Sequence, residues 1–418
     1  LPVLTRVIIL LILLSGFSPS LAQDISAELT AQIEKLEEFA VRVRGLEPLE
    51  AVDRRFPTRD EAIAEIQALF AAEIPPEMAA QLNVFYAAFD FLPAGADYVS
   101  LYLSALEAQI GGFYDPETGA MNTLLLNGGA PGDELPLLEQ IVYVHEFIHA
   151  LQDQHFDLQR LDEQTRDHPD QAQAVLALVE GDATLVMNLY TQEIAQANPL
   201  GTTLRLLAQG FSTNTLFMPP GLPDIISREL LSSYTDGAAF VSAIYAQGGW
   251  EAVNAAFQPE NWPQSTEQIL HPAKYLDGEG PLPVELADFT PGPEWDAVWD
   301  TTFGQFYLRE YLRTQLTSSA AARAAAGWGG DRYRIYQQRD TGALAWVMRI
   351  AWDTPDDAAE FSDAYTDFLT KRFEGVVAED SCWSTVDEAL CFSDTNAEHR
   401  IAFAPTLALA QELLASQG

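Results

Sequence analysis

The sequence predicts an α+β protein: a mainly helical body carrying a small antiparallel sheet, followed by a smaller C-terminal α+β domain. Three observations carry this. Apolar residues recur at helical spacing through most of residues 25–257. One stretch rich in glycine and turn residues, 110–126, interrupts that pattern with the character of a hairpin. Beyond a proline-rich segment, 281–293, helix-like and strand-like runs are mixed over a shorter length.

In order along the chain, Arg6 precedes the apolar run Val7 to Leu14, and Ser20-Leu21-Ala22 offers a small-x-small end, so residues 1–23 read as a removable secretory signal. The apolar run is short for a membrane span, and no stable membrane insertion is expected once the signal is removed. Residues 24–95 form a predicted helical lobe, with helices over Ile25–Val43, Arg59–Phe70 and Glu77–Phe91 separated by Pro57 and Pro75-Pro76. A hairpin follows within Ile110–Leu126, turning at Asp115-Pro116-Glu117-Thr118-Gly119. Apolar helices are predicted over Leu137–Leu151 and Ala174–Val186, and another over Asp224–Phe257 with a break at Gly248-Gly249. These elements, residues 96–280, make one predicted domain. Pro281–Pro293 is the best linker, and residues 294–418 make the second domain. Its helices are predicted at 302–316, 320–326, 356–373 and 406–414, and its strands at 333–338, 343–352, 390–392 and 400–403. Gly327-Trp328-Gly329-Gly330 lacks the third glycine of a dinucleotide fingerprint and reads as a turn.

Composition narrows the partners. With 48% hydrophobic and 20% charged residues over 418 positions, the chain can bury a large core. Lys and Arg total 22 against 61 Asp and Glu, a formal net charge of −39, which repels nucleic acid and anionic membranes. The only two cysteines, Cys382 and Cys391, flank a short turn and suit a disulfide in an exported chain. The expected location is therefore secreted or extracytoplasmic.

The chemistry concentrates in His145-Glu146-Phe147-Ile148-His149, an HExxH pattern inside the apolar helix. Residues four apart on a helix lie one above the other, so both imidazoles can address one ion while Glu146 projects beside them as a general base. Bound Zn²⁺ lowers the pKa of its water from about 16 toward about 7, which makes a neighbouring carboxylate an effective proton acceptor. A catalytic zinc takes three protein ligands, so a third donor is needed. His155 sits at the spacing of a three-histidine site, but Gln152 occupies the position where that pattern needs a turning glycine. If the helix continues, His155 is carried about 15 Å along the axis from His145. Glu180 is the better candidate: a carboxylate within the apolar run Ala174–Val186 needs compensation, and a metal supplies it. Gly181 and Ala183 are small and would let this helix approach the HExxH helix closely.

HExxH completed by a glutamate on a later helix resembles the gluzincin metallopeptidases. More closely, HEFIHALQDQHFDL (145–158) with VEGDAT (179–184) looks like a group of secreted bacterial zincin-like proteins. GFYDPETG (112–119) and STEQILHP (265–272) look like further signatures of that group. The resemblance implies a zincin-like domain and a secreted zinc endopeptidase acting on peptide or protein substrates through one Zn²⁺ held by His145, His149 and Glu180. It also implies that the 110–126 hairpin lines a cleft in which an extended substrate pairs. The thermolysin pattern places Asp four residues after the ligand Glu to orient a histidine; here that residue is Thr184, which leaves that support open, with Asp153 and Asp182 as the alternatives. For the oxyanion, His271 and Tyr275 are the first choices and Tyr114 and Tyr234 the lesser ones. Gly210-Phe211-Ser212-Thr213-Asn214 misses the last glycine of a nucleophile elbow, giving little support for a serine hydrolase. Two other functions stay open: a noncatalytic zincin-like envelope or binding protein, and a metal-dependent hydrolase of non-peptide amides.

Overall fold

The computed structural model describes residues 25–116, 118–126, 131–208, 221–395 and 398–418. The expected signal, 1–23, and the Gly210–Asn214 stretch lie outside them.

Helix α1 (Ala27–Arg44) starts where the Ser26 side chain accepts the Leu29 N–H and stops at Gly45, whose φ of 73° is the left-handed conformation that a helix end needs. Strand β1 (Asp53–Arg55) follows, then α2 (Arg59–Glu73), opened by a Thr58/Glu61 capping box, α3 (Pro76–Ala88) and α4 (Tyr98–Gln109). The expected hairpin is β2 (Gly112–Asp115) and β3 (Ala120–Thr123). Strand β3 pairs antiparallel with β2 and parallel with β1, giving a three-stranded sheet in the order β1-β3-β2 with β2 at an edge.

The HExxH helix α5 (Leu137–Phe156) runs five residues past Leu151 and ends at Asp157, whose side chain caps α6 (Leu158–Thr165). Next come the central helix α7 (Pro169–Ala197), α8 (Pro199–Ala208) and α9 (Asp224–Ala256), the last kinked at Gly248-Gly249. Helix α7 is long and apolar enough to cross a membrane, yet 78% of its most apolar window is buried within the protein, so its composition serves the core. Two short helices, α10 (Thr266–Leu270) and α11 (Pro272–Asp277), close the body.

The C-terminal region is an antiparallel six-stranded sheet with helices. Its elements are β4 (Trp295–Thr301), α12 (Gly304–Arg313), α13 (Ser318–Ala325), β5 (Trp328–Gln338), β6 (Leu344–Trp352), α14 (Pro355–Arg372), β7 (Cys382–Ser384), β8 (Ala389–Thr395), β9 (Glu398–Ala404) and α15 (Leu407–Ser416). The strand order is β4-β5-β6-β9-β8-β7. The fold is thus α+β, with a small sheet among the helices and a strand-rich C-terminal part, as the sequence predicts.

The structure adds elements that the sequence expectation lacks, namely β1, α4, α6, α8, α10, α11, β4 and β7, and one segment differs in kind. Strand β4 is not foreseen by it, because a bulge between Ala297 and Trp299 breaks the alternation of inward side chains. Helix α4 is likewise additional. Trp328-Gly329-Gly330 begins β5 instead of forming a turn, because the segment 281–293 lies against it: Leu282 N–H donates to Gly329 O at 2.6 Å, and a Cβ at Gly330 would fall 2.2 Å from Leu282 O. The glycine is demanded by that backbone approach.

A continuous hydrophobic cluster extends from Leu29 to Ile401. Trp299 and Trp346 bury their rings against α3 and donate their indole N–H groups to Gln81 O and Ala88 O, both at 2.9 Å. Phe85 and Phe89 meet Phe303 and Tyr333 in the same aromatic cluster. Burying indoles with their polar edge satisfied joins the large sheet to the helical body without stranding a donor.

Candidate metal centre

Helix α5 presents His145 and His149 on one face, as their spacing dictates, and α7 crosses that face to deliver Glu180. His145 Nε2 lies 3.0 Å from His149 Nε2 and 3.1 Å from Glu180 Oε2, and His149 Nε2 lies 3.5 Å from the same oxygen. All three side chains are buried. Two imidazole nitrogens facing each other at van der Waals contact, with a carboxylate oxygen beside both, share a common point that suits a cation. Nitrogen and oxygen ligands about 2.0–2.2 Å from a tetrahedral zinc lie about 3.3–3.6 Å from one another, close to the separations found here. Donor types and spacing both fit a divalent metal.

Electrostatics support the grouping. Burial alone would raise the Glu180 carboxyl, but the imidazoles of His149 and His145 override it and hold the group at about 2. Burial likewise opposes charge on His149, and Glu180, Glu146 and Gln152 outweigh it, raising this imidazole to about 9. Glu180 is thus an anion inside an apolar helix, the state in which a carboxylate can ligate a cation.

Glu146 is the most exposed of the four, at 8%, against 2% for His149 and Glu180. Burial raises its carboxyl, as does the nearby Glu180, while both histidines and the Tyr114 backbone N–H pull it down. The hairpin sets its place. A Cβ at Gly112 would stand 3.0 Å from Glu146 Cγ and 3.1 Å from Val142 Cγ1, so glycine lets β2 lie this close to α5 without crowding either side chain. The GFYD stretch is therefore built against the general-base candidate.

Gly181 works differently from its expected role. Its bare face meets α9 rather than α5: an added Cβ would lie 2.3 Å from the carbonyl of Gly237, and one at Gly237 would lie 2.2 Å from Ala177 O. This contact brings α9 to the far side of Glu180. One turn before Gly237 stands Tyr234, its ring 5.7 Å from that of His145. Burial and the carboxylates of Glu180 and Glu146 push its phenol well above the usual value of 10.

The remaining candidates have hydrogen-bond partners of their own. His155 Nε2 donates to Glu47 O at 2.8 Å on the continuing helix, and this residue does not join the metal-competent group. His271 faces Gln305 Nε2 at 2.9 Å, and burial with Lys274 and Arg309 lowers its pKa. Tyr275 donates to Asn261 O at 2.8 Å and packs on Phe240. Among the described hydrogen bonds, neither His271 nor Tyr275 reaches His145, Glu146, His149 or Glu180. Tyr114 donates to Asp153 at 2.9 Å, which occupies Asp153 away from the histidines. Thr184 leaves its hydroxyl buried without a partner among the described residues. The direct support of His149 is Gln152, whose Oε1 lies 2.8 Å from Nδ1. Its position three residues after a candidate ligand histidine on one helix is a signal the sequence does carry, hidden there behind its standing as the residue that replaces a turning glycine.

Residues 296–414 match the family model described as Domain of unknown function (DUF8575), which falls outside the histidine site. No curated protein matches the chain in sequence. Among solved structures, the fold is similar to the crystal structure of a candidate hydrolase with a novel fold from Chloroflexus aurantiacus. That likeness has 19% identity and a TM-score of 0.40, and covers 66% of this chain and 98% of that one.

Proposed function

We propose that the protein is an extracytoplasmic zinc-dependent hydrolase acting on peptide bonds. The observation that carries this reading is the convergence of His145, His149 and Glu180 on one point with Glu146, which none of the three needs as a ligand, seated beside it. A purely structural ion requires its ligands but no adjoining base.

When bound, zinc supplies a water of lowered pKa and a Lewis acid for the scissile carbonyl. His145, His149 and Glu180 are the residues that would hold it. Glu146 receives the proton of the attacking water at its carboxylate and returns it to the departing amine; burial lifts its affinity toward that needed for both transfers. Tyr234 remains protonated and offers its O–H to charge developing on the carbonyl oxygen, a role for which its place beside His145 suits it better than those of His271 and Tyr275. Strand β2, an edge strand packed against α5, provides unpaired backbone groups with which an extended peptide can pair. The Cys382–Cys391 disulfide accords with an oxidising compartment.

The test is Glu146→Gln. The expected variant binds one equivalent of zinc and loses cleavage of an unfolded protein substrate by at least about 100-fold. Undiminished cleavage would overturn the mechanism, and a panel of non-peptide amides run alongside would show whether the peptide is the true substrate.

A further inference from the structure

We infer that Asp182 and Arg44 are positioning residues for the metal centre, acting through the amide of Gln152 to fix which nitrogen of His149 faces the metal. This rests on the metal-dependent reading of the site.

A neutral imidazole ligates through the nitrogen that carries no proton, so Nε2 is available only if the proton sits on Nδ1. Nδ1 faces Oε1 of Gln152 at 2.8 Å, and an amide oxygen can only accept. The proton is thereby placed on Nδ1. The arrangement holds only while the amide keeps its oxygen toward the histidine, and a side-chain amide turned end for end would present N–H donors and invert the requirement.

Two acceptors prevent that inversion. Gln152 Nε2 donates to Val179 O at 3.0 Å and to Asp182 Oδ2 at 2.9 Å. With both amide hydrogens facing oxygens that cannot donate, the reversed amide would set its own oxygen against a carbonyl and a carboxylate in a buried site. Asp182 is held in turn: Arg44 Nε lies 2.7 and 2.9 Å from its two oxygens, both side chains are fully buried, and the guanidinium covers the ring of Trp250 at 4.6 Å. As the carboxylate partner of that guanidinium, Asp182 can only accept. His145 has no counterpart, for its Nδ1 is buried without a partner among the described residues. His149 is the anchored ligand of the pair.

The experiment uses the full chain. Zinc dissociation constants are measured by chelator competition for the wild type, Asp182→Asn, Gln152→Ala and the double variant, with circular dichroism of each apo protein as the check on folding. The amide introduced by Asp182→Asn preserves shape but can donate, releasing the amide of Gln152. Asp182→Asn and Gln152→Ala are each expected to weaken zinc binding about 10–100-fold, and the double variant to be no weaker than Gln152→Ala alone, because Asp182 has nothing to act through once the glutamine amide is gone. In the zinc-loaded wild type, the His149 Nδ1 proton should appear in a ¹⁵N–¹H spectrum as a protected resonance that Gln152→Ala removes. Zinc binding unchanged in Asp182→Asn, or losses that multiply in the double variant, would overturn the relay while leaving the metal centre standing. A wild type that binds no zinc would overturn the metal reading and this inference with it.

Discussion

Gly181 and Gly237 meet backbone to backbone, so closely that a methyl group on either would stand 2.2–2.3 Å from a carbonyl of the opposite helix. Glu180 and Tyr234, the neighbours of these two glycines, reach the candidate metal centre because of that contact.

Substituting Gly181→Ala should therefore act against propensity. In an unobstructed helix the change stabilises by about 1 kcal/mol. Here it should destabilise the fold by about 1–3 kcal/mol or more, because the helices must separate. It should also weaken zinc binding by at least about tenfold, since a displaced Glu180 loses its reach. Denaturant unfolding and chelator competition would check both, and a stabilised variant with full zinc affinity would contradict the packing argument.

Gly112→Ala should separate base from ligands. The new methyl presses on Glu146 Cγ and on Asn122 O, but the histidines and Glu180 stand beyond it. Peptide hydrolysis is expected to fall about 10–100-fold, the usual consequence of misplacing a reacting group by a fraction of an ångström to one ångström. Zinc occupancy by elemental analysis should remain at one equivalent.

A third expectation concerns pH. Glu229 is fully buried, and burial together with Glu310 raises its carboxyl from 4.5 to about 8 despite hydrogen bonds from Tyr86, Tyr307 and Tyr98. Because the folded state holds this proton more tightly than the unfolded chain, the contribution to stability is complete below about pH 4.5 and is lost as pH rises through about 8. Thermal unfolding of Glu229→Gln, compared with the wild type at pH 5.5 and pH 8.5, should show a smaller loss of Tm across that interval. Equal losses in the two proteins would show that Glu229 does not titrate there.

The disulfide should matter for stability alone. Cys382 and Cys391 are directly paired residues of β7 and β8 at one end of the large sheet, nine positions apart in sequence. Loop-closure entropy for so short a ring amounts to about 2–3 kcal/mol. Replacing both cysteines by serine should lower stability by that order, read by denaturant unfolding, and leave zinc affinity unchanged.

Much of the fold was legible because it follows from local periodicity. Pro57 and Pro75 fall between helices as that periodicity requires, and the hairpin turn around Gly119 announces β2 and β3. Strand β4 and the opening of β5 were not legible, because a bulge and a docked segment, both properties of neighbouring chain, determine which residues face inward.

At the candidate centre, the sequence by itself determined that His145 and His149 share a helix face with Glu146 beside them, since 3.6 residues per turn leaves no other arrangement. It also singled out Glu180, because a carboxylate amid apolar residues must find a cation. Tertiary structure alone decided that Glu180 meets those histidines, that Gly181 serves α9 rather than α5, that the Tyr234 ring stands beside that of His145, and that Arg44 reaches Asp182 from 138 residues away. The physical reason is that spacing along a helix is fixed by covalent geometry, whereas the approach of distant helices is fixed by which side chains are small enough and which buried charges must be neutralised.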